Sequence, residues 1–222
     1  MNDAASGSGS FIGQRRAGMA AIAASLPVAL LLWLAIAYLM PPLTGMDSLG
    51  DRMLLTLKCC CLAVLFCLVT GVEAVAHERL FSPAFDPLAG FETRRLRVNQ
   101  RYLQNTTEQF LVFVAGLFGL AAYSPDGSAM RAVLATTTVW IMARFAFWVG
   151  YHRGAAMRGL GAPGMALSMV VLLYVVGRIG FEVGGFVGAA IPVVAFLAIE
   201  AFLFRATRPL QFADRPEPSH RA

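Results

Sequence analysis

Charge is what this chain has least of. Only 14% of its 222 residues are charged, against about 25% in a soluble domain, and 58% are hydrophobic. That shortage excludes a water-soluble globular domain. The net charge of +5 is no sign of nucleic-acid binding. The basic residues cluster at the ends of apolar runs, which is the pattern of membrane topology. Cysteine is scarce as well. Cys59, Cys60, Cys61 and Cys67 all lie in one apolar stretch, with no Cys-x-x-Cys pair and no histidine at zinc spacing. Successive helical positions point about 100° apart, so this run makes a poor disulfide or metal site. These cysteines read as small buried hydrophobes. No internal repeat or pair of broken helices is evident, which weakens a transporter reading.

What the chain does have is apolar length. Six runs, at about 17–40, 53–77, 102–123, 130–151, 163–181 and 184–204, each approach the roughly 20 residues that cross a bilayer as a helix. The first is too long for a signal-peptide core and is kept as a membrane helix. The last two are separated by Gly177-Arg178-Ile-Gly-Phe-Glu182-Val-Gly-Gly185, where a tight turn is expected. One long bent helix is the alternative. The organisation is therefore a Gly/Ser-rich, disordered 1–10, a single transmembrane domain over 11–207, and a polar, disordered tail over 208–222.

The charges give an orientation. Arg15 and Arg16 precede the first run, and Arg79, Arg94, Arg95, Arg97 and Arg101 crowd the loop after the second. Arg153 and Arg158 follow the fourth, and Arg205, Arg208 and Arg215 follow the sixth. With six spans all four groups fall on one side, so both termini are expected in the cytoplasm. The expected location is a bacterial inner membrane.

The most informative segment is Arg101-Tyr-Leu-Gln-Asn105-Thr-Thr-Glu108. Its arginine, asparagine and glutamate fall at i, i+4 and i+7, along one helical face at the entrance to an apolar run. The next run mirrors it with Arg144 and, seven residues on, Tyr151, followed by Arg158. Seven residues are about 10 Å of helix. Glu108 and Arg144 therefore belong at similar depth, where a lone arginine is costly and a glutamate is a natural partner. Such a pair would lock two helices together or meet a ligand directly. Arg101, Tyr151 and Arg158 read either as an interfacial belt or as part of a receptor for a small anion, since guanidinium grips carboxylates in bidentate fashion.

Arg101-x-x-x-Asn105-x-x-Glu108 heading one span, then Ala143-Arg144 and Tyr151 ending the next, resembles the MAPEG superfamily, the membrane-associated proteins in eicosanoid and glutathione metabolism. The resemblance covers about 53–181, the family's four-helix core, with the first and last runs as additional helices. It implies an all-α homotrimer of helix bundles with glutathione as co-substrate, bound between subunits near the cytoplasmic face. By resemblance Arg101, Asn105, Glu108 and Tyr151 line that site and Arg158 assists the glutathione thiol. Arg79 resembles a basic position that meets a glutathione carboxylate. The chain departs from the pattern at Gln109 and Phe147, where some members carry tyrosine, and at Tyr102, where a small residue is usual. The expected activity is a glutathione transferase or peroxidase acting on lipophilic substrates from the membrane. The rival is a non-catalytic protein on the same scaffold that binds a lipid or an anionic metabolite.

Overall fold

The structure is a computed structural model. It describes residues 3–88 and 90–207, with side chains from residue 13 onward. All regular elements among these residues are helical: α1 (Asp3–Leu39), α2 (Leu49–Ala63), α3 (Thr70–Leu80), α4 (Arg94–Tyr123), α5 (Arg131–Arg153) and α6 (Ala162–Ala206). α1 takes in residues 3–10, part of the stretch where composition predicts disorder. Residues 1–2 and the tail 208–222, including Arg208 and Arg215, lie outside the described residues. Five helical stretches are long and apolar enough to cross a bilayer: Gly13–Leu39, Leu49–Leu80, Arg94–Tyr123, Arg131–Arg153 and Ala156–Ala206. The protein is an integral membrane protein by this measure and by the composition that underlies it.

The chain forms two compact units, 1–172 and 173–222. In the first, local sequence sets the helix starts. Ser48 caps α2, its hydroxyl accepting from the Asp51 amide at 3.1 Å. Thr93 caps α4, accepting from the Leu96 amide at 2.9 Å, and its own hydroxyl donates to Glu78 at 3.0 Å. Each cap satisfies an amide that the first helical turn leaves without a partner.

α2 and α3 are joined through a wide π-helical turn, Val64–Val69. Tyr102 on α4 exploits it. Its hydroxyl donates to the Cys67 carbonyl on that turn at 3.1 Å. Gly71 leaves room for the ring, which a Cβ there would approach to 3.0 Å. Tyr102 is fully buried and stacks on Trp148 with centroids 5.1 Å apart. A large residue at this position is thus accommodated by a glycine and a shifted carbonyl on the neighbouring helix. The cysteines are free, with Cys59, Cys60 and Cys67 buried and Cys61 exposed. The three buried cysteines join Phe113, Leu117, Met130, Val133 and Trp140 in one apolar core, whereas Cys61, read from sequence as buried, faces outward.

The two ends of this unit differ. At one, Arg52 donates to the Pro125 carbonyl at 3.3 Å and Arg131 to the Met40 carbonyl at 2.6 Å, closing the α1–α2 and α4–α5 connections together. At the other, Arg94 donates to the carbonyls of His152 (3.0 Å) and Tyr151 (3.4 Å). These are the free carbonyls at the C-terminus of α5, where a cation is favoured. Arg95 pairs with Glu78 at 3.2 Å. The arginine-rich segments Arg94–Arg101 and Arg153–Arg158 therefore share one end of the unit, the end that also holds the N-terminal part of α1.

The second unit is a fold-back. Gly184 (φ −146°, ψ 25°) and Gly185 (φ 58°, ψ −146°) interrupt α6, and only a glycine takes the latter conformation without strain. The backbones of Gly180 and Gly188 then approach so closely that neither position has room for a Cβ. Phe181 and Phe186 meet edge to face at 5.2 Å. The turn predicted near Gly185 is present, and α6 is two apolar arms, not one bent rod.

One buried side chain ties three helices of the first unit. Asn99 donates to the Ala74 carbonyl at 3.2 Å. Its Oδ1 accepts from Trp148 Nε1 at 2.9 Å and meets His152 Nε2 at 2.9 Å. Indole nitrogen can only donate, so Oδ1 is the acceptor and His152 carries its proton on Nε2. Asn99→Leu removes the acceptor of Trp148 Nε1 and His152 Nε2, and an orphaned buried polar group costs about 1–3 kcal/mol. The expected result is a clear drop in thermal midpoint in detergent. An unchanged midpoint would show that the network is not structural.

Candidate functional site

The polar stripe on α4, the inner face of α5, the turn Ala156–Gly161 and the start of α6 enclose a cavity of about 490 Å³, within the roughly 300–1,000 Å³ of small-molecule sites. Its wall includes Arg101, Gln104, Asn105, Glu108 and Gln109 from α4. α5 contributes Arg144, Phe147 and Tyr151, and the turn contributes Arg158, Gly159 and Gly161. Six of the sequence-predicted residues meet here: Arg101, Asn105, Glu108, Arg144, Tyr151 and Arg158. Arg79 does not line the cavity. It sits at the C-terminal end of α3 with its Nε buried and unpartnered.

Arg144 is the centre of the arrangement. It is only 1% exposed. Nη1 donates to Asn105 Oδ1 at 2.9 Å and Nη2 to the Gly161 carbonyl at 2.9 Å. The guanidinium carbon lies 5.1 Å from the Phe147 ring centroid and 6.0 Å from that of Trp140, close enough for cation–π attraction. Nε has no partner.

The predicted Glu108–Arg144 ion pair is not formed. Among the described residues, neither is within ion-pair distance of an opposite charge. Glu108 instead accepts from Gln104 Nε2 at 3.1 Å, on the more exposed side of α4. The depth estimate brought Arg144 to the right part of α4. An arginine side chain spans about one 5.4 Å turn, and its reach took it to Asn105, one turn nearer the basic end.

A chain of side-chain amides frames the cation. Arg101 Nη1 donates to Gln104 Oε1 at 3.1 Å. Gln109 Nε2 donates to Asn105 Oδ1 at 3.1 Å. Arginine has no acceptor, so the bond from Arg144 fixes which end of the Asn105 amide faces it. Oδ1 is then occupied by two donors. Gln109 Oε1 is buried without a partner. Tyr151 stands beside Phe147, ring centroids 5.7 Å apart. At Gly161 a Cβ would collide with Phe147 and with the Ala143 backbone. Glycine is what lets this carbonyl come close enough to accept from Arg144.

Sequence reasoning missed Gln104 and Gly161. Gln104 lies three residues after Arg101, on the same helical stripe, so spacing alone could have placed it. Gly161 gave no sequence signal, because its role depends on a turn packing against α5.

In sum of charge, three arginines face one glutamate, and the most buried arginine has no carboxylate. A buried cation is costly unless opposite charge and hydrogen bonds offset its desolvation. Here carbonyl dipoles and aromatic faces do part of that work. The cavity is suited to a small anion with a less polar body, which Phe147 and Tyr151 would cover.

Comparison with known proteins agrees with this architecture. The family model described as "MAPEG family" matches residues 53–181, a segment that contains the whole cavity wall. Transmembrane protein 79 of Bos taurus is 25% identical over 131 residues, 59% of this chain and 32% of that protein. Transmembrane protein 79 of Mus musculus is 24% identical over 158 residues, 71% of this chain and 40% of that protein. The matched part is thus well under half the length of these curated relatives. No solved structure matches the chain. The family match takes in more than half of the chain, and with the helical fold and the cavity inside the matched segment it identifies this protein as a member of the MAPEG family.

Proposed function

We propose that this protein is a glutathione-dependent transferase or peroxidase of the membrane, acting on lipophilic electrophiles or hydroperoxides. The observation that carries the reading is the buried Arg144 without a carboxylate partner, flanked by Arg101 and Arg158 around one cavity. Glutathione is a substrate whose chemistry complements that wall. It has two carboxylates for guanidinium groups and an ammonium group for Glu108. Its amides suit the side chains of Gln104 and Asn105. The Gln109 Oε1 atom, buried and unpartnered, suits a ligand N–H.

In the chemical step Arg158 is the group that matters. A free thiol of pKa about 8.5 is mostly protonated at neutral pH, and a cation beside the sulfur favours the thiolate, which is the nucleophile. The thiolate then attacks an electrophilic carbon, forming a thioether as the leaving group departs with its bonding pair or, at an activated double bond, as the π pair is displaced and protonated. With a hydroperoxide it attacks the terminal oxygen, breaking the O–O bond to give an alcohol and a glutathione sulfenic acid, and a second glutathione thiol displaces water from that acid to form the disulfide. Glu108 and Arg101 keep to binding, and Tyr151 and Phe147 exclude water.

The assembly is proposed to be a homotrimer in the membrane with both termini on the cytoplasmic side and six crossings, α6 contributing two. Arg79 joins the cavity in this reading only where a second copy brings its own α3 to it. The positive residues gathered at one end support the sidedness. Light scattering of the detergent-solubilised protein should give three copies. A monodisperse monomer would remove Arg79 from the site.

The second reading is a binding protein without catalysis. Phe147 and Gln109 favour it, since each stands where some family members offer a hydroxyl. Glutathione should raise the thermal midpoint of the wild type, because a ligand that binds only the folded state stabilises it. Arg144→Met is expected to weaken glutathione binding by at least about tenfold, the scale of one lost charge-assisted contact of about 1.5–3 kcal/mol. Unaltered affinity in that variant would refute the anion site.

Turnover separates the two readings. Arg158→Ala should lower kcat at neutral pH with little change in glutathione affinity. The sign of the pH effect follows from the cation. Without Arg158 the thiol pKa returns toward about 8.5, so the variant should regain rate as pH rises past that value. A wild type that binds glutathione but turns over no electrophile or hydroperoxide supports the binding protein.

A further inference from the structure

The segment matched by the family begins at residue 53, so α1 lies outside it. Yet α1 packs against the turn that carries Arg158. Gly18 on α1 faces the backbone of Ala156, where an added Cβ would sit 3.6 Å from the Ala156 carbonyl oxygen. Gly159 nests against α1 from the other side. A Cβ there would lie 2.7 Å from the Gly18 carbonyl oxygen and 3.1 Å from Ile22 Cγ1. The two backbones touch through glycines, which is as close as two chain segments pack.

α1 is in turn fixed to α5 farther along. Trp33 Nε1 donates to Thr136 Oγ1 at 3.1 Å, and Arg131 donates to the Met40 carbonyl beyond its end. The turn Ala156–Gly161 has little to hold it by itself. It is a 3₁₀ helix of six residues with no side-chain cap, and such helices are short because their hydrogen bonds are poorly aligned. Its position is therefore set by its two seats. One is α5, through Gly161 and the Arg144 bond. The other is α1, through Gly18 and Gly159. Arg158 lies between the two.

We infer that α1 is a positioning element of the cavity, seating the Ala156–Gly161 turn so that the Arg158 guanidinium reaches the bound anion. This rests on the reading above that the cavity binds an anion. α1 acts through the turn and touches neither the ligand nor the reacting sulfur.

The test uses the full-length protein in nanodiscs, with two substitutions at Gly18 and glutathione as probe. Gly18→Ala adds a Cβ at ordinary contact distance and should behave as wild type. Gly18→Leu is larger and should push the turn away. It is expected to lower the glutathione-dependent rate about tenfold in the wild-type background and to change nothing further in the Arg158→Ala background, since coupled sites are not additive. Multiplying effects in the double variant would overturn the inference.

Hydrogen exchange without glutathione gives an arm independent of the proposed function. Gly18→Leu should speed exchange of the amides of 156–161 and leave α4 unchanged. Unchanged exchange in the turn overturns the inference, even if the protein proves to be an enzyme. Faster exchange in the turn with no glutathione binding in the wild type upholds the seating by α1 and refutes the ligand.

Discussion

A guanidinium at 1% exposure inside a helix bundle has to be held by something, and how Arg144 is held determines the form of the site around it. Removing a cation from water costs several kcal/mol even after relaxation. Among the described residues no carboxylate offsets that cost. The structure uses an amide oxygen, a main-chain carbonyl and two aromatic faces. Each demands its own geometry. Asn105 must present its oxygen, so its amide orientation is fixed. Gly161 must bring its backbone against α5, so the residue has to be glycine. Phe147 must lie over the cation, so its ring becomes a wall of the cavity. The same cation thus joins α4, α5 and the turn into one pocket.

The partial compensation bears on function. A full ion pair with Glu108 would leave Arg144 neutralised, with little to gain from a ligand. Dipoles and ring quadrupoles hold the cation in place while leaving its net charge uncancelled. A carboxylate of the proposed ligand would meet a positive site whose hydrogen-bonding groups are already oriented, so little reorganisation would be needed on binding. Glu108, free of Arg144 and exposed at the rim, keeps its own charge available.

What the sequence could disclose follows from which quantities are fixed and which are not. Rise per residue is constant, so counting along the runs placed Glu108 at the depth of Arg144, seven residues inward from Arg101 and Tyr151, and the structure brings these four, with Asn105 and Arg158, to the cavity wall. Helix rotation and side-chain reach are not fixed by spacing, so the partner of Arg144 was assigned one turn too deep. Asn99 looks like one more polar residue at a helix entrance, and only the packed structure shows its links to Ala74, Trp148 and His152. The π turn at Val64–Val69 has no sequence signature, because it exists to meet Tyr102 across an interface. The fold-back at Gly184–Gly185 was legible because positive φ selects glycine locally, before any packing.

The contrast between Arg101 and Arg144 shows why position outweighs residue type in this site. Both are arginines on the cavity wall. Arg101 is exposed and bonded to the exposed amide of Gln104, so water screens its charge and its contribution to holding an anion would be modest. Arg144 is enclosed by protein, where the effective dielectric is low and every charge interaction is stronger. If the cavity binds an anion as proposed, the two divide the work of recognition. In that proposal Arg101 and the arginines along the basic end would attract anions over a distance, an effect that salt weakens. In the proposed site Arg144 would discriminate among those that arrive, because only a ligand able to bring a charge to the buried guanidinium can recover the desolvation that the protein has already borne.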